Sequence, residues 1–320
     1  MTDRYRLKKL AFDQVSTYSL KGRRHKVSSE AFADPRRWEE ARDFVALLPD
    51  ILKAADLKAV VEAILNARSN DKPVILGVGA HVLKVGCSPL ILDLMERGVI
   101  TGLTMHGAGL VHDVELALMG ATSEDVEAEI GSGRFGMAEE TAATVNAALA
   151  RYVPKGLGVG EAVGRDLVEG KHPYVDLSLL AGGYAQVLPV TVHVALGTDV
   201  IHMHPSTDGA LVGEGTYRDF QRFCSMVSEM GDGGVYINIG SAVLLPEIFL
   251  KALSLVRNLG HDVRDFTTVD FDMIRHYRPS VNVVARPTQE SGAGYSITGH
   301  HELLLPLLYH MLRSRLEQAP

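Results

Sequence analysis

Short apolar runs alternate along this chain with longer segments in which apolar residues recur every three or four positions. The run KPVILGVG (72–79) has the length and composition of a buried β-strand. SPLILDLMERG (88–98) follows it with helical spacing, and VITGLTMHGAG (99–109) returns to a strand that ends in a glycine turn. Because this alternation is typical of α/β proteins, we predict a mainly parallel sheet with helices on both faces.

The same rhythm continues to the end of the chain. Further elements are predicted in order as helices at 123–130 and 137–153, a strand region within 188–204, a strand, turn and helix at 233–260, strands within 261–272 and 279–287, and an amphipathic closing helix at 301–318. No linker or low-complexity segment interrupts this order, so we predict one domain over residues 1–320, of which 1–70 form a helical N-terminal arm.

Composition and charge exclude several classes of function. The net charge of −7 argues against a nucleic acid or an anionic membrane as the main partner, and the basic clusters DRYRLKKL (3–10) and KGRRHK (21–26) are interpreted as a solvated arm or a subunit contact. The sequence shows no signal peptide and no apolar run of roughly 18 residues, which favours a cytoplasmic protein without a membrane span. Cys87 and Cys224 are too few for a disulfide framework.

Three glycine-containing turns are candidates for ligand binding. GVGAH (77–81), MHGAG (105–109) and NIGSA (238–242) each follow a predicted strand, where ligands of open parallel sheets collect. Small residues let a backbone approach a phosphate, and a following helix N-terminus stabilises negative charge, so these turns favour a nucleotide site. GSGRFG (131–136) matches G-x-G-x-x-G but follows a helical segment, and we interpret it as a loop between helices.

Histidines form the second signal. His202 and His204 are two residues apart on a predicted strand, which would place them on one face, and His193 lies on the strand before them. Zinc could use such nitrogens, together with His300, His301, Asp199 or Glu302, but no H-E-x-x-H spacing supports a metal site. General acid–base catalysis, hydrogen bonding and purely structural roles remain open for these histidines.

A polar, glycine-rich segment, VNVVARPTQESGAGYSITGHHE (281–302), precedes the closing helix. Its composition predicts a functional loop that closes over a pocket. Arg286 within it would bind a carboxylate or phosphate, although a structural ion pair explains this arginine equally well.

The order of these segments resembles the deoxyhypusine synthase family from about residue 72 to 310, with weak similarity over 121–190. In the first half, LGVGAHVLKVG (76–86) is similar to the family's LGYTSNLISSG, and MHGAGLVHD (105–113) to its TTAGGVEED. Next, TDVIHMHP (198–205) is similar to GDMIFFHS, and VYINIGSAVL (235–244) to GMIILGGGVV. Last, VVARPTQE (283–290) is similar to SGARPDE, and GHHELLLPLL (299–308) to ADASLVFPLL.

This resemblance implies NAD bound to a Rossmann-like sheet in a homotetramer, and it places His204 on the family's active-site histidine. The implied cofactor-binding residues are Gly79, Ala80, His81, His106, Gly107, Ala108, Gly109, Gly240, Ser241 and His300. The implied catalytic residues are His204, His112 and Asp113, and the implied substrate-binding residues are Asp199, His202, Arg286 and Glu290.

Departures from the family pattern change the expected chemistry. The family's imine-forming lysine follows GARPDE, but SGAGYSITG (291–299) stands there and no lysine occurs after Lys251. His112 replaces an active-site glutamate, His81 and Ala80 replace asparagine and serine, and His300 replaces an aspartate. A polycation pocket prefers carboxylates, so the sequence does not predict a deoxyhypusine synthase.

Three hypotheses follow. The first is an NAD-dependent enzyme that takes a hydride from a C–H bond next to nitrogen in a small amine or amino-acid-like substrate, with His204 or His112 as the base and Lys84 as an alternative nucleophile. The second is a metal-dependent enzyme that uses the histidines as ligands. The third is a non-catalytic nucleotide-binding or assembly protein, because a fold does not specify an activity.

Overall fold

The computed structural model describes residues 44–318. The basic clusters and most of the predicted N-terminal arm lie outside the described residues. Within them, six strands form one sheet, namely β1 (Val74–Val78), β2 (Gly102–His106), β3 (Val190–His193), β4 (Val235–Ile239), β5 (Thr267–Asp272) and β6 (Ala293–Thr298).

All neighbouring strands of this sheet are parallel, in the order β3-β2-β1-β4-β5-β6. This is the order of the doubly wound Rossmann fold, in which the direction of winding reverses between β1 and β4. The two central strands are in register, with Gly77 opposite Asn238 and Val78 opposite Ile239. The predicted α/β fold with a Rossmann-like parallel sheet is therefore confirmed.

Helices cover both faces, as the strand composition requires, because β1 (VILGV) is buried along its whole length. The α-helices of the described residues are α1 (Leu52–Ser69), α2 (Ala80–Lys84), α3 (Ser88–Glu96), α4 (Gly107–Met119), α5 (Val126–Ile130), α6 (Glu139–Tyr152), α7 (Val159–Gly170), α8 (Leu179–Ala185), α9 (Gly209–Ser228), α10 (Leu244–Asn258) and α11 (His301–Gln318). None of the helices between residues 44 and 318 is long and apolar enough to cross a membrane.

The core divides between the two faces of the sheet. Leu76 and Ile237 belong to a large cluster with α1, α3, α4, α6–α8 and α11, whereas Ile75 and Tyr236 belong to a smaller cluster with α9 and α10. This division follows from the two-residue period of a strand. Helix α1 packs through Leu57 and its apolar neighbours, so the buried face of this helix is part of the large cluster.

Two predicted strands are helical in the structure. Pro279–Ala285 forms a π-helix, for which Pro279 is well suited because its missing N–H is not needed in the first turn. Residues 293–298, predicted as part of a loop, form the edge strand β6 instead, and Ile297 is its buried residue. The segment Val200–Met203 is a 3₁₀-helix that begins with a capping box between Asp199 and His202.

Candidate functional site

The turns after β1 and β4 meet at the carboxyl edge of the sheet. The Gly79 N–H donates to the Ile239 carbonyl at 2.7 Å, and a Cβ atom at Gly79 would overlap the backbone of Gly240. Gly240 has a φ of +68°, a conformation that favours glycine. These turns lie at the point where the strand order reverses, which is where dinucleotides bind in this class of sheet.

A buried histidine faces this switch point. The His301 side chain is 1% exposed, and its ring lies beside the Phe271 carbonyl and the Asp272 carboxylate. Its Nε2 lies 4.0 Å from Asp272 Oδ1, its ring is 5.5 Å from that of His81, and a Cβ at Gly240 would approach its Cε1 to 2.6 Å. Burial lowers the pKa of His301, although the Asp272 carboxylate opposes this shift.

The family resemblance selects His300 rather than His301 as the cofactor residue. His300 is exposed, and its Nδ1 lies 3.7 Å from Glu302 Oε1. The helical spacing of α11 distinguishes the buried histidine from the exposed one, because His301 shares a helix face with the buried residues Leu305, Leu308 and Leu312. The buried imidazole is therefore His301, one position after the residue that the family resemblance names for cofactor binding.

Two buried polar residues pair between β4 and β5; Asn238 belongs to the NIGSA turn singled out from the sequence, whereas Asp270 was not predicted. Asn238 donates to Asp270 Oδ1 at 2.8 Å and to the Ser241 carbonyl at 3.0 Å. Burial raises the pKa of Asp270 to about 6, and the hydrogen bond from Asn238 opposes this shift. Ser241 is buried, and its Oγ accepts the N–H of Leu245 at 3.2 Å, which connects this turn to the first residues of α10.

A separate cavity of about 260 Å³ opens beside β2, between α2, α4 and the segment after β3. It brings together four residues singled out from the sequence, Lys84, Ala108, His112 and Asp199. Its complete lining is Lys84, Ala108, Val111, His112, Glu115, Ser123, Glu124, Val126, Phe135, Thr198, Asp199 and Val200. Carboxylates and apolar side chains therefore share one small space.

The Asp199 carboxylate lies against the first residue of α4. A Cβ at Gly107 would overlap Asp199 Oδ2, and this oxygen is buried without a hydrogen-bond partner among the described residues. Burial raises the pKa of Asp199, and the nearby His202 opposes this shift. A negative charge at this place is favoured by the N-terminus of a 13-residue helix.

His112 is held by hydrogen bonds on the same side of α4. Its Nδ1 lies 2.6 Å from Thr122 Oγ1, and the Thr122 hydroxyl donates to Glu115 Oε2. Thr141 donates to the other carboxylate oxygen at 3.3 Å. Burial alone would raise the pKa of Glu115, but the hydrogen bonds with His112 and Thr122 outweigh it and lower this pKa below its usual value.

Asp113, predicted to be catalytic, lies on a different face of α4. It is fully buried, accepts the backbone N–H of Leu179 at 2.7 Å, and also accepts hydrogen bonds from Ser178 and Leu180. Burial raises its pKa to about 6. Both carboxylate oxygens thus hold the first turn of α8, and Asp113 does not line the cavity that contains His112.

The other histidines are not brought together. His202 lies on the 3₁₀-helix, and its Nδ1 accepts the Gly197 N–H at 3.2 Å, while His204 Nδ1 lies 2.7 Å from Ser206 Oγ. The shared strand face predicted for His202 and His204 is therefore absent from this segment of the described chain. His193 is buried on β3, where burial lowers its pKa to about 3.

Glu290 lies towards the opposite edge of the sheet from the glycine turns. Ala293, three positions after Glu290, pairs with Thr267, the first residue of β5, and all strands are parallel. This segment therefore runs along the amino edge, whereas the glycine turns lie at the carboxyl edge.

Arg286 is exposed and donates to Asn282 Oδ1 at 2.8 Å. Asn282 in turn donates to Glu247 in the first turn of α10. The predicted loop is thus mostly π-helix and strand, whereas its end, with His301, lies at the carboxyl edge.

The histidines also do not form a metal site within residues 44–318. No group of three or more His, Cys, Asp or Glu side chains in this part of the chain is arranged to hold a metal ion. Zinc coordination needs three or four converging ligands, so the zinc hypothesis finds no support in this arrangement.

No protein-family model matches the sequence, and no curated protein matches it. Solved structures do share its fold. AgrE, in a ternary complex with ornithine and NAD+, aligns with 90% of this chain at 13% identity and a TM-score of 0.53, and the match covers 35% of AgrE. ArgZ, an arginine dihydrolase from cyanobacteria, aligns with 81% of this chain at 17% identity and a TM-score of 0.52, over 32% of ArgZ.

A conserved LOR/SDH protein from Methanococcus maripaludis S2 aligns with 84% of this chain at 17% identity and a TM-score of 0.51, over 71% of its own length. This chain spans about a third of the length of ArgZ and AgrE. Likeness at these identities shows a common fold. No family model matches the chain, so the specific resemblance to the deoxyhypusine synthase family is not confirmed.

Proposed function

We propose that this protein is an NAD-dependent enzyme that acts on a small amine or amino-acid-like substrate. The observation that supports this proposal is the pair of glycine turns that meet at the β1–β4 switch point, with the buried His301 imidazole beside them. AgrE, which shares the fold, has been crystallised with ornithine and NAD+. The homotetramer implied by the family resemblance remains part of this proposal.

The residues at the switch point fit a dinucleotide. Gly79 and Gly240 let the two turns approach each other closely, and the buried His301 ring lies against Gly240 and beside the Asp272 carboxylate. His81 and Ser241 stand beside them, so these residues with Ala80 would hold the cofactor. When bound there, NAD would supply a hydride acceptor.

The MHGAG turn is better suited to a cation than to a phosphate. The Asp199 carboxylate already lies on Gly107, and a phosphate in the same place would be repelled by it. Glu115 and Glu124 add two more carboxylates to the lining of the cavity. We therefore assign His106–Gly109 to the substrate side of the site, where an ammonium group would pair with Asp199.

His112 is the residue that would take up the substrate proton. Removing a proton from an ammonium group leaves the nitrogen lone pair that assists hydride loss from the adjacent carbon. His112 lines the cavity together with Asp199, whereas His204 is absent from its lining. The apolar side chains Val111, Val126 and Phe135 would contact the carbon chain of the substrate and exclude water.

Calorimetric titration of the folded protein with NAD tests the cofactor. We expect saturable binding that His81→Ala weakens about tenfold, whereas His310→Ala, an exposed histidine on α11, leaves it unchanged. Absence of binding at about 1 mM NAD would overturn the proposal.

Amine-dependent formation of NADH tests the reaction. Among small amines and amino acids, at least one should give turnover that His112→Gln lowers about a hundredfold or more, because a general base contributes that much. Asp199→Asn should raise KM more than it lowers kcat, since its carboxylate is proposed to bind the substrate cation. Equal activity of wild type and His112→Gln would contradict the assignment of the base.

A further inference from the structure

We infer that Thr122 and Glu115 are positioning residues that hold the His112 imidazole with its proton on Nδ1, which leaves the Nε2 lone pair free to accept a proton. The three side chains form a continuous hydrogen-bonded relay beside the cavity. The catalytic meaning of this relay rests on the proposed function, but its geometry does not.

The direction of each hydrogen bond follows from counting protons. The Thr122 hydroxyl has one proton and donates it to the Glu115 carboxylate, which when ionised can only accept hydrogen bonds. The lowered pKa of Glu115 keeps this carboxylate ionised at neutral pH. Because the Thr122 proton is committed, the 2.6 Å contact with His112 requires that Nδ1 carry the hydrogen and donate it to Thr122 Oγ1.

The local fold explains how Thr122 reaches this position. Helix α4 ends at Gly120, whose φ of +67° turns the chain back in the left-handed conformation. Thr122 then lies beside residues 112 and 115, which are neighbours on one helix face at a spacing of three. The carboxylate is also held by Thr141 from α6 at 3.3 Å, so its orientation does not depend on Thr122 alone.

Several charged groups surround His112, and Glu115 is the one in hydrogen-bonded contact with it through Thr122. His106 at the end of β2 is half-buried, and its pKa is lowered by burial and by the nearby His112. The cavity also presents charged side chains from α2, from the loop after α4 and from the segment after β3, which are Lys84, Glu124 and Asp199.

The relay would act by orientation and charge. A proton leaving a substrate ammonium group would bind His112 Nε2, while the Nδ1–H bond to Thr122 stays intact. The resulting imidazolium lies 3.8 Å from the Glu115 carboxylate and is stabilised by it, so no proton needs to move to Glu115. Thr122 and Glu115 therefore act through His112 rather than on the substrate.

Long-range ¹H–¹⁵N NMR of ¹⁵N-histidine-labelled full-length protein reports the tautomer directly. The His112 signals are assigned by their loss in His112→Gln. At about pH 8, where an ordinary imidazole is neutral, we expect wild-type His112 to be the Nδ1–H form. A wild-type His112 that is mainly the Nε2–H form would overturn the inference without any further variant.

Variants identify the cause of the tautomer. Thr122→Val should populate the Nε2–H form, and Glu115→Gln should weaken the preference, whereas Thr122→Ser should preserve the Nδ1–H form. Thr298→Val, an exposed threonine on the edge strand β6, is the matched control and should leave His112 unchanged. An unchanged tautomer in folded Thr122→Val would contradict the relay.

The amine-dependent assay separates the relay from the proposed function. If turnover exists, Thr122→Val should lower kcat about tenfold with little change in KM, and Thr122→Ser should restore most of it. A correct tautomer without NAD-dependent turnover would refute the proposed function and support the relay. Turnover with the wrong tautomer would refute the relay and leave the proposed function standing.

Discussion

Gly79 determines how closely β1 and β4 approach at their carboxyl ends. Its N–H donates to Ile239, and its missing side chain leaves space for the backbone of Gly240. The sequence singled out both glycines as ligand-binding turns. The structure adds that Gly79 is also needed for contact between the two turns, which the position of a glycine in a sequence does not reveal.

We predict that Gly79→Ala lowers the free energy of unfolding by about 2–3 kcal/mol, because its Cβ would overlap main-chain atoms that cannot move without displacing β4. Gly131→Ala is the matched control. Its Cβ would have no neighbour within 4 Å and its φ is −66°, so its stability should change by less than about 0.5 kcal/mol. Urea unfolding of both variants checks this, and equal effects would contradict the explanation.

At the scale of secondary-structure elements, Asp219 of α9 joins α7 to β3. Its carboxylate accepts the backbone N–H of Gly160 at 2.9 Å and of Val192 at 2.8 Å. Burial raises the pKa of Asp219 to about 7 despite these hydrogen bonds. The folded state therefore binds a proton between about pH 4 and pH 7 that the unfolded state has released, so this group lowers stability as pH rises through that range.

Asp219→Asn should flatten this dependence, since an amide oxygen still accepts both N–H groups but does not titrate. The stability of Asp219→Asn relative to wild type should increase steadily from about pH 4 to pH 7. Unfolding free energies in urea at several pH values measure it. The exposed Asp262→Asn is the control, and a parallel pair of curves for wild type and Asp219→Asn would refute this role.

At the scale of the whole molecule, α11 returns from the edge strand β6 to the first half of the fold. Arg313 and Tyr309 of α11 contact Asp93 of α3 at 3.1 Å and 3.0 Å, and Arg97 contacts the same carboxylate at 2.7 Å. The hydrogen bond from Arg97, assisted by those from Tyr309 and Arg313, lowers the pKa of Asp93 to about 2. One carboxylate thus connects the last helix to the β1–β2 crossover.

Asp93→Asn should lower the free energy of unfolding at neutral pH by about 1 kcal/mol, a value reduced for the partial exposure of the site. Because the pKa is lowered in the folded state, this contribution is present above about pH 4 and is lost as pH falls towards 2. The unfolding free energies of wild type and Asp93→Asn, measured by denaturation at several pH values, should therefore converge as the pH falls towards 2. Asp56→Asn, which removes a single exposed contact with Lys53, should have a smaller effect at neutral pH.

The sequence alone predicted the parts of the fold that depend on local period and composition. Buried runs such as VILGV and VYINI predicted strands, and the apolar face of α11 predicted a helix, because burial on a sheet or a helix requires those patterns. The sequence-based prediction failed at 279–298. The valine-rich segment Pro279–Ala285, predicted as a strand, forms a π-helix, and the polar segment Ala293–Thr298, predicted as a loop, forms an edge strand. In both segments tertiary packing outweighed intrinsic propensity.

Only the tertiary structure decided which candidate residues share a site. The glycine turns and His112 were recognisable from the sequence because turn geometry and helix starts are local properties. Glu290 lies towards the opposite edge of the sheet because strand β6 runs parallel to β5 and must begin at its amino end. Thr122, Glu115 and His301 gained their importance from burial and from partners distant along the helix or chain. Chemistry at a site depends on such distances, which a one-dimensional pattern does not contain.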